Sequence, residues 1–558
     1  MNSKPTYSAK IQVQLLCEAL AAYGITDIVI SPGSRNGALT LQFVNDHRFQ
    51  CYSIVDERSA GYVALGMAQQ TRKPVVICCT SGSAAANYLP AITEAFYQNL
   101  PLIVLTADRP LSYTDLFDGQ TIRQEHLFDT HIYHSEQLTE DTSDSRLTET
   151  FVKIKNAVFS CLKNQGPVHL NMPFTEPLYE VVTEKLIEFE KISPPQITYD
   201  SVDYQQLKNL WSQSSKTLIL VGLQPPNQSF QALLQQLSSQ PQVVVFTETT
   251  SNAFHQQYVN TIDTAITGLS EQQLQDLQPT LLITLGQNVI SKKIKQYLRK
   301  HKASMHWHVN PHWQPDTYFS LTHKIKVPET EFLAHAVENF EEVSSDYQKN
   351  WLQIRDEKLQ KQTQFLQTAP YSDFKFWETF IPQIPADYIV HYGNSSIIRY
   401  AQLFHPKHTN PVYANRGTSG IDGSTSTAAG FAMKSEKPVL LVTGDIAAFY
   451  DSNGLWNSYI PSSFRVIVVN NGGGNIFKII PGPANTRAIE FFETPHHRSL
   501  KLLAELNGFQ YEKCSNLDEI HAKLSHFFQP SDKPKMLEID TTQAPNAEIL
   551  QQFLQISR

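Results

Sequence analysis

At 558 residues the chain is too long for one hydrophobic core, and its length favours about three domains. Its 41% hydrophobic and 18% charged content is that of a soluble globular protein, and no apolar run approaches the ~20 residues needed to cross a bilayer. A net charge of −8 argues against nucleic acid as a general partner, while leaving room for a locally basic pocket.

The first residues, Met1-Asn2-Ser3-Lys4-Pro5, carry no apolar core ahead of a cleavage site, so no secretory signal is expected. A helix is expected over residues 8–23, a strand over 27–31 and a turn at Pro32-Gly33-Ser34-Arg35. A strand over 51–55, a helix over 59–70 and a strand over 74–80 follow, and Ser81-Gly82-Ser83 opens another helix. A strand over 102–106 ends in Ala107-Asp108-Arg109-Pro110, and a late strand over 168–172 closes the block. Alternating short apolar runs and helical stretches predict a parallel sheet covered on both faces. Cys78 and Cys79 fall inside an apolar run, and none of the six cysteines has CxxC spacing, so buried thiols in a reducing cytoplasm are expected.

A charged, proline-containing linker over 183–200 leads to a second α/β block, with strands over 217–221, 242–246, 280–285 and 305–309. Its glutamine-rich stretch, 224–278, reads as solvated surface, and it shows no convincing GxGxxG, which argues against a flavin there. Charged helical sequence over 329–366 joins it to a third block, with strands over 388–391, 412–414, 439–442, 466–469 and 535–539. The fold class predicted is α/β, with three doubly wound parallel-sheet domains over 1–182, 201–328 and 367–558.

The third block carries the most specific chemistry. One apolar run delivers Gly444-Asp445 at its carboxyl end, and a second runs into Asn470-Asn471-Gly472-Gly473-Gly474. Parallel strands of an open sheet present both ends to the same crevice. An Asp carboxylate, an Asn amide oxygen and a backbone carbonyl from the glycines are hard ligands suited to Mg²⁺. The glycines allow close backbone approach to a diphosphate, with amide N–H groups aimed at it. A Gly-Asp pair alone would be ordinary βαβ sequence; the Asn-Asn-Gly-Gly partner makes it specific. In the first block, Val55-Asp56-Glu57-Arg58 puts an acid at a helix start, where a carboxylate favours the dipole by about 0.3–1 kcal/mol. On local grounds alone that accounts for Glu57.

The pairing of Gly444-Asp445 with Asn470-Asn471 resembles the thiamine-diphosphate (ThDP) enzyme fingerprint, Gly-Asp-Gly and then Asn-Asn, although Ile446 stands where that pattern has glycine at its third position. Further segments are Ser31-Pro-Gly-Ser-Arg35, Asp56-Glu57-Arg58, Thr80-Ser-Gly-Ser83, Thr106-Ala-Asp-Arg-Pro110, Gly119-Gln120-Thr-Ile-Arg-Gln124, Gly393-Asn-Ser395, Asn415-Arg-Gly-Thr-Ser-Gly-Ile-Asp-Gly423 and Asn470-Asn-Gly-Gly-Gly-Asn-Ile-Phe477. With these the chain resembles, over essentially its whole length, the 2-succinyl-5-enolpyruvyl-6-hydroxy-3-cyclohexene-1-carboxylate (SEPHCHC) synthase family of menaquinone biosynthesis. The resemblance implies a pyrimidine-binding domain first, a central non-catalytic domain, and a diphosphate-binding domain last. It also implies a homodimer or homotetramer, with each cofactor between the first domain of one subunit and the third of another.

The reaction implied is decarboxylation of 2-oxoglutarate and conjugate addition of the resulting succinyl-semialdehyde carbanion to isochorismate, with Mg²⁺ or Mn²⁺ as the cation. Glu57 would face N1′ of the aminopyrimidine ring; Asp445, Asn471 and Gly473 would hold the cation. Gly82, Ser395, Ile421, Gly444 and Ile476 would contact the cofactor. Both substrates are dianions, and Arg35, Arg109, Arg399, Arg416 and Lys292 would meet them. Ser34, Gln120 and Ser395 would hydrogen-bond the substrate or intermediate, and Ile476 and Phe477 would line the intermediate's pocket; the first three suit turn or cap duty equally well, and Ile421, Ile476 and Phe477 suit packing. Two further departures are Lys293, where the family favours arginine, and Gly119, where it commonly has asparagine. The readings weighed against this one are another ThDP-dependent 2-oxoacid decarboxylase or carboligase, and a non-catalytic ThDP-binding homologue.

Overall fold

The computed structural model describes residues 6–193, 196–405, 409–479 and 482–556. The reading made of Met1 to Pro5 lies outside the described residues, as do Pro194 and Pro195 of the expected linker.

Among the described residues three six-stranded sheets form, and the pairings resolved within each are parallel. The first runs Gln50–Ser53, Asp27–Ile30, Val75–Cys79, Leu102–Asp108, Val168–Pro173, Ser135–Gln137. The third runs Val412–Tyr413, Ile389–Tyr392, Val439–Gly444, Arg465–Asn470, Lys535–Asp540, Gln510–Cys514. Numbered along the chain, both follow the order second, first, third, fourth, sixth, fifth. The middle sheet runs Tyr258–Val259, Val243–Thr247, Thr217–Val221, Leu281–Leu285, Met305–Val309, His323–Ile325. Its order is third, second, first, fourth, fifth, sixth, the dinucleotide-fold winding. In each sheet the order reverses beside the first strand, and loops leaving the carboxyl ends there open a crevice. In the middle sheet that crevice is filled by the chain itself: a Cβ on Gly222 would collide with Gln287 O, and the buried Glu248 carboxylate accepts the Ile290 and Ser291 N–H groups, both at 2.6 Å.

Central strands such as Val75–Cys79 and Leu102–Asp108 are buried along their whole length, so they read as continuous apolar runs. Burial pushes the Cys78 thiol up to about 12, and all six cysteines are free. No helix among the described residues is long and apolar enough to cross a membrane.

The chain divides into two compact units. One comprises Met1–Ile197, Asn415–Val439 and Phe449–Phe464; the other comprises Thr198–Ala414, Leu440–Ala448 and Arg465–Arg558. Within the first, the helix Ser424–Lys434 packs directly on the helix Glu57–Thr71. Glycines on both sides permit this approach. A Cβ on Gly66 would collide with Thr427 O, and one on Gly430 with Val63 O.

Several elements depart from expectation. The strands Ser135–Gln137, Tyr258–Val259, His323–Ile325 and Gln510–Cys514 were not anticipated; all are sheet edges, and all are short or carry polar side chains rather than an apolar run. The helix Gly37–Asn45 and the antiparallel pair Tyr7–Ser8 with Val181–Val182 were also missed. The charged stretch over 329–366 is two helices, Glu329–Asn339 and Tyr347–Thr368, because Ser345 breaks the run and caps Tyr347 N at 3.0 Å.

Candidate active site

In the second unit, the buried strand Val439–Gly444 hands directly to Asp445, the first residue of the helix Asp445–Tyr450. Asp445 is 3% exposed. Its Oδ1 accepts from Ile446 N at 2.8 Å, and its Oδ2 from Gly472 N at 2.9 Å and Gly473 N at 3.0 Å. His496 Nε2 lies 3.2 Å from Oδ2. Burial pushes the Asp445 carboxyl up, while these donors and His496 pull it down. The glycine amides expected to face a diphosphate are thus turned onto Asp445. A polar carboxylate at 3% exposure needs its donors, and these are the nearest ones. Gly473 has φ +153°, and a Cβ there would lie 2.6 Å from Glu493 O, so only glycine fits.

Asn471 follows the strand Arg465–Asn470. Its Nδ2 donates to Asp373 Oδ2 at 2.9 Å, whereas its Oδ1, buried, has no hydrogen-bond partner among the described residues. Leaving such an acceptor dry and unpaired costs about 1–3 kcal/mol unless a bound group completes it. One carboxylate, one unpaired amide oxygen and the neighbouring glycine carbonyls make a hard-oxygen set that fits Mg²⁺ or Mn²⁺. Among the described residues no group of three or more His, Cys, Asp or Glu side chains converges to hold a metal.

The loop after Ile389–Tyr392 packs against the same strand: a Cβ on Gly393 would lie 2.9 Å from Thr443 Oγ1. Ser395 adopts φ +67°, a left-handed conformation costly for a non-glycine residue, and precedes the helix Ser396–Ala401. Arg399 Nη1 donates to Ser395 O at 2.6 Å; burial lowers its pKa and the charge of Asp263 raises it. A Cβ on Gly444 would lie 3.9 Å from Ile397 Cγ1, so the segments that carry Ser395, Arg399 and Asp445 meet at the crevice of the third sheet. Ile476 is buried, and Phe477 packs on Phe492 at a ring separation of 5.2 Å. Lys292 is exposed at the start of the helix Lys292–Lys300, and Lys293 turns to the Thr267 hydroxyl.

In the first unit, a Cβ on Gly33 would collide with Thr80, which also accepts the Arg35 N–H at 3.2 Å. Arg35 is 4% exposed, with Nη1 donating to Phe174 O at 2.9 Å and Nη2 lying 3.6 Å from Glu176. Burial, and then the positive charge of Arg109, lower its pKa, so the two guanidinium groups share one neighbourhood. Arg109 Nη2 donates to Gly119 O at 3.0 Å. The Nε atoms of both arginines are buried and unpaired among the described residues. Gly82, at φ +87°, lies against Gln120, at φ +58°, with a Cβ-to-Cα clearance of 3.2 Å. Ser34, Gly119 and Gln120 are exposed beside them.

Glu57 is half-buried, receives Asn87 Nδ2 at 3.4 Å, and follows Asp56, which caps Ser59 N at 3.2 Å. The segment with Arg416 and Ile421 is tied down by residues that sequence reasoning missed. Glu94, 1% exposed, accepts from Gly417 N at 2.7 Å, Thr418 N at 2.6 Å and Thr418 Oγ1 at 2.6 Å. Tyr62 donates to Asp422 Oδ2 at 2.8 Å. A lone glutamate in the apolar helix Leu89–Gln98 was the available signal. His496 and Asp373 had none.

Comparison with known proteins adds a family context. The N-terminal TPP binding domain of thiamine pyrophosphate enzymes matches residues 12–135. A Flavobacterium johnsoniae relative named 2-succinyl-5-enolpyruvyl-6-hydroxy-3-cyclohexene-1-carboxylate synthase is 42% identical over 547 residues, 97% of this chain and 98% of its own. One from Flavobacterium psychrophilum with the same name is 42% identical over 543 residues, 96% and 97% of the two chains. A Porphyromonas gingivalis relative, again so named, is 36% identical over 573 residues, 98% and 97%.

Proposed function

We propose a function from one premise: the chain belongs to the family of 2-succinyl-5-enolpyruvyl-6-hydroxy-3-cyclohexene-1-carboxylate synthases, and is a thiamine-diphosphate-dependent enzyme. Its reaction on this reading joins isochorismate to the four-carbon unit left when 2-oxoglutarate loses CO₂, as a step of menaquinone biosynthesis. The observation that carries it is 42% identity across 97% of the chain to a relative of that name.

When bound, thiamine diphosphate supplies the carbon nucleophile and the electron sink for decarboxylation. Glu57 holds or releases a proton at its carboxyl against the aminopyrimidine N1′. Asp445, Asn471 and the Gly473 carbonyl hold Mg²⁺ or Mn²⁺; the unpaired Asn471 Oδ1 supports this. Gly82, Ser395, Ile421, Gly444 and Ile476 position the cofactor. Arg35 and Arg109 repel each other, and a dicarboxylate between them offsets that repulsion while pairing with their open N–H groups. Ser34 and Gln120, exposed beside that pair, donate to the same substrate. Arg399, Arg416 and Lys292 steer the second dianion, and Phe477 shields the pocket. The enzyme works as a homodimer or homotetramer whose sites combine two subunits, with free thiols suited to the cytoplasm.

The test is turnover by the purified protein with thiamine diphosphate, Mg²⁺, 2-oxoglutarate and isochorismate. Isochorismate-dependent product with CO₂ release is expected, and none from pyruvate as sole oxoacid. Robust pyruvate decarboxylation without an isochorismate-dependent product would overturn the reading.

A further inference from the structure

We infer that Asp373 is a positioning residue for the cation site, fixing the Asn471 amide so that its oxygen rather than its nitrogen faces the cation. The inference rests on the proposed role of Asn471 as a ligand. An asparagine amide is two-faced: a half-turn exchanges an acceptor for a donor, and a donor cannot ligate a cation. Something must therefore choose the face. Asp373, 98 residues away in sequence, opens the helix Asp373–Phe380 and is 2% exposed.

Its orientation is set from several sides. Its backbone N–H donates to Asn546 Oδ1 at 2.8 Å, and its Oδ1 accepts from Thr541 Oγ1 at 2.5 Å. Thr541 N is itself held by Asn470 O at 2.9 Å, and Asn546 Nδ2 donates to Thr541 O at 3.1 Å. That leaves Asp373 Oδ2 for Asn471 Nδ2, at 2.9 Å. An ionised carboxylate only accepts, so it selects the NH₂ face and turns Oδ1 the other way, where it is buried and unpaired. Outer partners of this kind orient metal ligands, and their loss weakens metal affinity about 10–100-fold.

The experiment is calorimetric titration of Mg²⁺ at pH 8 into full-length protein with excess thiamine diphosphate, with a melting curve on each variant. Asn471→Ala is the control; if it leaves the affinity unchanged, the ligand assignment falls and this role with it. Asp373→Asn, which keeps shape and packing but can present either face, is expected to weaken binding roughly tenfold. Asn471→Asp alone sets two carboxylates against each other and is also expected to weaken it at least about tenfold. The exchange Asp373→Asn with Asn471→Asp restores one acceptor against one donor, and affinity is expected to return to within about threefold of wild type. A merely structural Asp373 predicts additive losses instead, about 100-fold in the exchanged protein. That result, or a wild-type affinity in Asp373→Asn at unchanged melting temperature, overturns the inference.

Discussion

Glu57 and Asp445 illustrate what a single residue reveals of itself. Each follows the end of a strand, and such positions could be read directly because apolar runs fix strand ends to within a few residues. Asp373 and Glu94 could not be read so: their partners lie 98 and 323 residues away, and only the folded chain brings them together. Glu57→Gln keeps the side chain's shape but removes its acidity, so cofactor binding should persist while turnover falls about 10²-fold or more; steady-state kinetics beside calorimetry checks this. Arg109→Lys loses the planar fork and should raise KM for the oxoacid about tenfold with kcat nearly unchanged. A fall in kcat at constant KM would place Arg109 elsewhere in the cycle.

Among elements, the central strands were legible because burial on both faces makes them continuously apolar, whereas edge strands such as Ser135–Gln137 and Gln510–Cys514, short or polar, were not. Two consequences follow from how these elements pack. His169, inside the strand Val168–Pro173 and 2.7 Å from Thr106 Oγ1, has its pKa pushed down to about 3 by burial. Between pH 3 and 6.5 the unfolded chain binds a proton there that the folded one does not, so this contribution to stability is lost as pH falls through that window. Replacing it by His169→Gln should flatten the pH dependence of unfolding between pH 5 and 6 by up to about 1.4 kcal/mol per pH unit. Urea melts at the two pH values measure it. Gly430, pressed on Val63 O where the two helices cross, should not tolerate a methyl group: Gly430→Ala is expected to cost about 1–3 kcal/mol, read as a lowered Tm.

At the scale of the whole molecule, the α/β class and three parallel sheets were readable from the alternation of elements; the return of residues 415–439 and 449–464 to the first unit was not, because nothing local marks it. Family resemblance implies that each cofactor is held by two subunits, and this has a direct readout. Glu57→Gln and Asp445→Ala should each be nearly inactive alone. Co-expressed, they should recover about a quarter of wild-type activity, since random pairing makes half the dimers mixed and each mixed dimer keeps one intact site. No recovery would mean that each site belongs to one chain.

The first and third sheets, wound in the same order, have one more consequence. In each sheet the reversal of strand order exposes the same pair of loops. The first sheet has Arg35 and Gly82 there, the third Ser395 and Asp445. Scaffolds of the same build thus carry different tools, a guanidinium on one and a carboxylate on the other.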